Sequence, residues 1–238
     1  MQARQALDDA EVVLGYKTYL RQAEALVKGK ETIASGMTHE LDRAGEALDL
    51  ALTGRCVAMV SGGDPGIYAM AGVIYDVAKV RNITFGSGPG QVEIIVIPGI
   101  PALAAAAALL GAPLTHDFAT VSLSDRLTPW ELIEKRLRLA AEADFVIVLY
   151  NPKSKGRPWQ LGRAFEIVAE SRTADTPVGV VSRAMRDGQT VTLTSLGQAN
   201  QADVDMQTVI IIGNSRTYTY QGRMVTPRGY LEKYPDAV

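Results

Sequence analysis

Short apolar, β-branched runs alternate with stretches of helical periodicity along the 238-residue chain. That alternation restricts the fold to α/β architecture built on parallel strands. "VVLGY" leads into the helical "YLRQAEALVKG", and "TIAS" leads into "HELDRAGEALDLALTG", where Leu41, Ala44, Leu48 and Leu52 share one face. "CVAMVS" reads as a strand buried on both faces, followed by the helix "GIYAMAGVIYDVAKV". "VEIIVIPG" reads as a further strand, followed by the small-residue helix "ALAAAAALL". Glycine and proline in "GAPLTHDF" then end the helix, which places a domain boundary near residue 115.

The expected fold is therefore a two-domain α/β protein. Residues 1–115 form a Rossmann-like parallel sheet, and residues 116–238 form a mixed-sheet α/β unit. In the second unit "ATVSLS", "FVIVLYN", "VGVVSRA", "TVTLTSL" and "TVIIIGN" are strands. No long helix separates "VGVVSRA" from "TVTLTSL", so those two are expected to pair antiparallel.

Composition excludes several functions. A formal net charge of -2 gives no general attraction to nucleic acid or to an anionic membrane. "IPALAAAAALLGAPL" is too short, and too closely bracketed by prolines, to span a bilayer, and the opening residues are not a signal peptide. A cytoplasmic protein is expected. The single cysteine, Cys56, can form no internal disulfide and lies in an apolar run, where a buried, inert thiol is expected. His39 and His116 lack metal-ligand spacing, and no GxSxG, HExxH or CxxC motif occurs, so metal and covalent mechanisms find no support in the sequence.

Glycine-bearing loops follow two of the expected strands. In "SGGDPG", Asp64 and Pro65 have the chemistry of a helix start, and Gly62 and Gly63 would let a ligand approach the backbone. Capped turn and ligand loop both fit. "IPGIPA" ends the next strand, and two such loops on one sheet edge favour the ligand reading. "GSGPG", residues 86–90, follows a helix and opens a strand, the reverse of a phosphate-binding loop, and reads as a solvent turn. Lys153, Lys155 and Arg157, with Arg183 and Arg186, cluster just beyond strand ends. They are either a solvated basic loop or a clamp for carboxylates.

Five segments, "VSGGDPGIYAMA", "VIPGIPALAAAAALLGAPLTHDFATVSLSDRLTPW", "LYNPKSKGRPWQL", "VVSRAMRDGQTVTLTSL" and "IIIGNSRTYTYQGRMVTPRGY", occur in this order. Together they resemble the tetrapyrrole (uroporphyrin-III/precorrin) methylases. "YNPKSKGR" and "TPRGY" are most similar to the branch that methylates precorrin-3B at C-17 with ring contraction, in cobalamin biosynthesis. The resemblance implies a homodimeric methyltransferase that binds S-adenosylmethionine in the cleft between its domains. It assigns the cofactor to Gly62, Gly63, Asp64, Ile67, Pro101, Ala102, Tyr150, Asn151, Ala184, Met185, Thr208 and Val209. The tetrapyrrole's carboxylates make Lys153, Lys155, Arg157 and Arg183 its expected partners, and no acid or base is assigned. A sister methylase, one acting on a cobalt-bearing macrocycle, and a non-catalytic remnant are the alternatives. Family members begin with a strand ending in GxGPG, and this sequence opens inside the helix that follows it. Lacking that strand, the sheet should expose unpaired ladder groups and apolar side chains.

Overall fold

The computed structural model describes residues 2–154 and 156–237, and it divides into two compact units, residues 1–101 and 102–238. In the first unit the chain runs α1 (Gln2–Asp9), β1 (Val12–Tyr16), α2 (Lys17–Gln22), α3 (Glu24–Val27), β2 (Glu31–Ser35), α4 (Glu40–Leu52), β3 (Val57–Val60) and α5 (Met70–Val80). Its sheet is fully parallel, in the order β2-β1-β3. Central β1 is covered on both faces. Val13 packs with Leu7, Leu20 and Val27 on the α1–α3 side, while Val12 and Leu14 pack with Ala47 of α4 on the other. This alternation is the period of two that a strand imposes on its side chains.

Three expectations fail here, and they share one cause. "VEIIVIPG" is not a sheet strand: it makes one isolated bridge, Phe85 with Val92, and Ile95 is 71% exposed. β3 is not buried on both faces, since all four of its residues are half-buried where β1 is sealed. Cys56, one residue before β3, is exposed rather than buried. Among the described residues no strand pairs with the far side of β3, so neither β3 nor residues 93–99 is covered where they face each other. On α4, Ala44 and Leu48 are buried while Leu41 and Leu52 are exposed. The helix buries only its middle turns.

The second unit contains α6 (Ala102–Leu110), β4 (Gly111–Ala112), β5 (Phe118–Ser122), α7 (Trp130–Glu142), β6 (Val146–Tyr150), α8 (Gln160–Ala169), β7 (Pro177–Ser182), β8 (Thr190–Ser195), β9 (Thr208–Ile212), β10 (Tyr218–Tyr220), β11 (Arg223–Val225) and α9 (Tyr230–Lys233). Its main sheet is mixed, in the order β5-β6-β9-β7-β8. β5 and β6 are parallel, and β7–β8 are antiparallel as their direct connection requires. Ile147, Leu149, Ile210 and Ile212 point to the α7–α8 side, while Val146, Val148, Val209 and Ile211 point to α6. The units part at Pro101–Ala102 rather than near residue 115 because α6 packs on this sheet. Leu110 lies directly over Gly179 of β7, where even one added carbon would clash at 2.3 Å.

Candidate functional site

The loop after β3 is organised by one carboxylate. Asp64 Oδ1 accepts a hydrogen bond from the Gly66 N–H at 2.8 Å, and Oδ2 accepts one from the Gly99 N–H at 3.0 Å. The first bond closes a local turn of the kind aspartate favours. The second ties the SGGDPG loop to the PGIP loop, across 35 residues of sequence. Asp64 is not the cap of α5, which begins at Met70 with Ala69 preceding it. Its partners are the two loops themselves.

Gly99 makes that junction possible. A Cβ there would stand 2.0 Å from the Gly63 carbonyl oxygen, so the two backbones meet with no space for a side chain. Gly62 is packed in the same way against the Tyr19 ring, at 2.5 Å from such a carbon. Gly62 and Gly63 are themselves exposed, and Ile67 is 36% exposed. The loop therefore offers bare backbone to a ligand while its one acidic group is held by two N–H donors. Gly99 was absent from the expected site residues. Its signal was the Pro-Gly pair in "IPGIPA", which marks a turn but not the partner it touches.

In the second unit the topology collects the other expected residues. β6 and β7 both run antiparallel to β9, so the carboxyl ends of β6 and β7 and the start of β9 share one sheet edge. Tyr150, Asn151, Ala184, Met185, Thr208 and Val209 all lie there. Tyr150, Ala184, Ala102 and Val209 belong to one apolar cluster. The Tyr150 hydroxyl also accepts a hydrogen bond from the Leu103 N–H at 2.9 Å, in the first turn of α6. Helix N-terminal amides lack partners within the helix, and this hydroxyl supplies one.

Three residues on the same edge carry backbone strain. Asn151, Arg183 and Met185 have φ of 51°, 49° and 59°, left-handed values that side-chain-bearing residues adopt at a cost. Each is held by a specific contact. Asn151 Nδ2 donates to Ser122 Oγ at 3.0 Å, Arg183 pairs with Asp205 at 3.0 Å, and the Met185 N–H donates to Gln189 Oε1 at 2.8 Å. Thr208 is buried, and its hydroxyl donates to Asp205 Oδ1, so its side chain serves the edge rather than facing solvent.

The basic residues separate. Lys153 is exposed, and Lys155 lies outside the described residues. Arg157 departs from the expectation of a solvent-facing clamp. It is only 8% exposed, and its guanidinium donates to the Leu123 and Asn151 carbonyls at 3.1 and 2.8 Å. Burial lowers its pKa from the ordinary arginine value, nearby Asp125 opposing that shift. Its charge is used to hold the loop that follows β6. Pro101 is half-buried between the PGIP loop and α6 in sequence.

Among the described residues no group of three His, Cys, Asp or Glu side chains could hold a metal ion, and no helix is long and apolar enough to cross a membrane.

The chain is an α/β protein whose glycine loops are joined at a carboxylate and whose mixed sheet carries strained residues at its strand ends. The model for the tetrapyrrole (corrin/porphyrin) methylases matches residues 1–200, and the chain belongs to that family. Among its relatives, a probable cobalt-factor III C(17)-methyltransferase of Salmonella typhimurium is 48% identical, covering 97% of this chain and 92% of the relative. A precorrin-3B C(17)-methyltransferase of a Sinorhizobium species is 45% identical, over 90% of this chain and 82% of its own. The crystal structure of the methyltransferase CobJ superimposes with a TM-score of 0.88 at 37% identity, covering 95% of this chain and 92% of that one.

Proposed function

We propose that this chain is an S-adenosylmethionine-dependent C-methyltransferase of cobalamin biosynthesis, acting at C-17 of a precorrin-3B-type macrocycle and coupled to its ring contraction. Relatives at 48% and 45% identity, both named for methylation at C(17), support the reaction. The observation that carries the site is the Asp64 carboxylate bridging the Gly66 and Gly99 amides. It fixes a loop of exposed glycine backbone beside which a ligand can lie without meeting side chains.

S-adenosylmethionine supplies, when bound, a methyl group already activated on a sulfonium, so no nucleophilic side chain is required of the protein. The macrocycle carbon provides the electron pair of the new C–C bond, and the pair of the broken C–S bond stays on sulfur. The protein's task is to align the reacting atoms and exclude water, which can contribute roughly 7–11 kcal/mol when orientation is good. Gly62, Gly63, Asp64 and Ile67 bind the cofactor in the first unit. Pro101, Ala102, Tyr150, Asn151, Ala184, Met185, Thr208 and Val209 keep the cofactor role that the resemblance assigns to them. Asp64 acts by holding loop geometry, since both its oxygens already accept backbone N–H bonds. Lys153 and Arg183 are the cations that meet the substrate's carboxylates, whereas Arg157 shapes the loop that presents Lys153. A cytoplasmic homodimer completes the proposal.

A cobalt-bearing macrocycle is the second reading, favoured by the name of the 48% identical relative. Titration calorimetry with S-adenosylhomocysteine tests the site. The intact chain should bind saturably, and Asp64→Ala should weaken binding at least tenfold while the far-UV spectrum is retained. Undiminished binding by a folded Asp64→Ala protein would remove Asp64 from the site.

A further inference from the structure

Asp205, in the loop that leads into β9, has no role in the site as described so far, yet its carboxylate joins two segments of that site. Oδ2 accepts from Arg183 Nη2 at 3.0 Å, just beyond the carboxyl end of β7. Oδ1 accepts from the Gln207 N–H at 2.8 Å and from the Thr208 hydroxyl at 3.0 Å, at the start of β9. The Arg183 N–H in turn donates to the Gln207 carbonyl at 3.0 Å. Arg183 is therefore held at backbone and side chain together, at a residue whose φ is 49°. Ala184 and Met185 follow it directly.

Counting protons gives this network a direction. A threonine hydroxyl has one proton and two lone pairs, and a carboxylate only accepts. The Thr208 proton therefore goes to Asp205 Oδ1. One lone pair receives the Asp205 N–H at 3.1 Å, and the other receives the hydroxyl of Ser182, the residue paired with Thr208 in the β7–β9 register. Thr208 is saturated within the fold, so what it can offer a ligand is backbone. Arg183 is not saturated. A guanidinium carries five N–H donors, Asp205 takes one, and the side chain is 39% exposed. The others can meet a carboxylate that arrives from solvent.

Resting on the roles proposed above for Thr208 and Arg183, we propose that Asp205 is a positioning residue for both ligands at once. Through Thr208 it fixes the strand start that faces the cofactor. Through Arg183 it aims the cation that meets the macrocycle's carboxylates. The two oxygens divide the work, and an amide at this position separates them. Asparagine keeps one acceptor oxygen for the Gln207 N–H and the Thr208 hydroxyl, but its NH2 group only donates and cannot hold a guanidinium.

Asp205→Asn and Asp205→Ala test the proposal. The readouts are calorimetry with S-adenosylhomocysteine, kcat and KM for whichever of precorrin-3B and its cobalt-bearing counterpart is turned over, and hydrogen exchange at the Gln207 amide. The Arg183–Asp205 pair is partly exposed on both sides, so its loss should leave both variants folded. Asp205→Asn should raise KM at least fivefold, with kcat and S-adenosylhomocysteine affinity within twofold of the intact chain. Asp205→Ala should raise KM as much, and should also weaken S-adenosylhomocysteine at least tenfold and speed Gln207 exchange at least tenfold. A merely structural role would move both ligands together in both variants, and that result would overturn the proposal. So would an Asp205→Ala protein with unchanged KM and unchanged affinity. An intact chain that binds no S-adenosylhomocysteine would instead overturn the cofactor reading. Gln207 exchange that is faster in Asp205→Ala alone would then still support Asp205 as the residue joining these segments, and exchange equal in both variants would remove it.

Discussion

Gly99→Ala is the sharpest perturbation of the loop junction. The added carbon would lie 2.0 Å from the Gly63 carbonyl oxygen and 3.0 Å from the Gly63 carbonyl carbon. Both are backbone atoms, with no flexible side chain to yield. A carbon–oxygen contact settles at about 3.3 Å or more, so the loops must part by roughly 1 Å. The Asp64 Oδ2 to Gly99 N distance, now 3.0 Å, then passes out of hydrogen-bonding range. Overpacking costs about 1–3 kcal/mol. A charge-assisted bond contributes about 1.5–3 kcal/mol when shielded, and about 1 kcal/mol is appropriate for the half-exposed Asp64. The expected loss is about 2–4 kcal/mol, a fall in Tm on the order of 5–15 °C for a chain of this size. Differential scanning calorimetry measures that fall, and titration with S-adenosylhomocysteine should show affinity lowered at least tenfold. Gly72→Ala is the control, because nothing lies within 4 Å of the added carbon in the first turn of α5. It should stabilise by about 0.5–1 kcal/mol through helix propensity alone. Gly99→Ala with unchanged Tm and unchanged affinity would refute the argument that contact between these loops organises the site.

The remaining predictions concern the loop after β6. Arg157→Ala should destabilise the protein by about 3 kcal/mol in a urea melt, since the Leu123 and Asn151 carbonyls lose a buried guanidinium donor. Arg157→Lys should not restore it, because a single ammonium lacks the planar fork that reaches both acceptors. A stable Arg157→Ala protein with only a raised KM would return Arg157 to the substrate. Lys153→Ala, at an exposed position, should leave stability within about 0.5 kcal/mol and raise KM for the tetrapyrrole severalfold. An unaltered KM would exclude Lys153 as a carboxylate partner.

Much of the fold was legible because strand and helix periods differ. The alternation of "VVLGY", "TIAS" and their helices specifies the parallel sheet, and the short "RAMRDGQ" connection specifies the antiparallel β7–β8 pair. "VEIIVIPG" shows the limit of that reasoning. Its residues suit a strand, but a strand exists only with a partner, and none among the described residues adjoins segment 93–99. Cys56, which is exposed, and β3, which is half-buried, lie on the same unpaired side of the described sheet. The alanine-rich α6 has too uniform a surface to reveal which sheet it covers, so the boundary was placed after it instead of before it.

The site was legible in its loops and less so in its side-chain directions. Gly62, Gly63 and Asp64 stood out because two glycines, an aspartate and a proline punctuate the end of an apolar run. The acceptor role of Asp64 toward Gly99 was hidden, because sequence cannot register a contact between residues 35 positions apart. Asp64 followed by proline suggested a helix cap, yet residues 65–69 intervene before α5. Arg157 looked like its lysine neighbours, and only the carbonyls of Leu123 and Asn151, brought together by β5 and β6, turn it inward.

The most direct test of the account follows the methyl group itself. The purified chain is incubated with methyl-labelled S-adenosylmethionine and either precorrin-3B or its cobalt-bearing counterpart, and the product is analysed by mass spectrometry and carbon NMR. The account predicts one labelled methyl on C-17 of a ring-contracted macrocycle, with S-adenosylhomocysteine formed in equal amount. A chain that binds S-adenosylhomocysteine yet transfers label to neither macrocycle, or places it on another carbon, would contradict it.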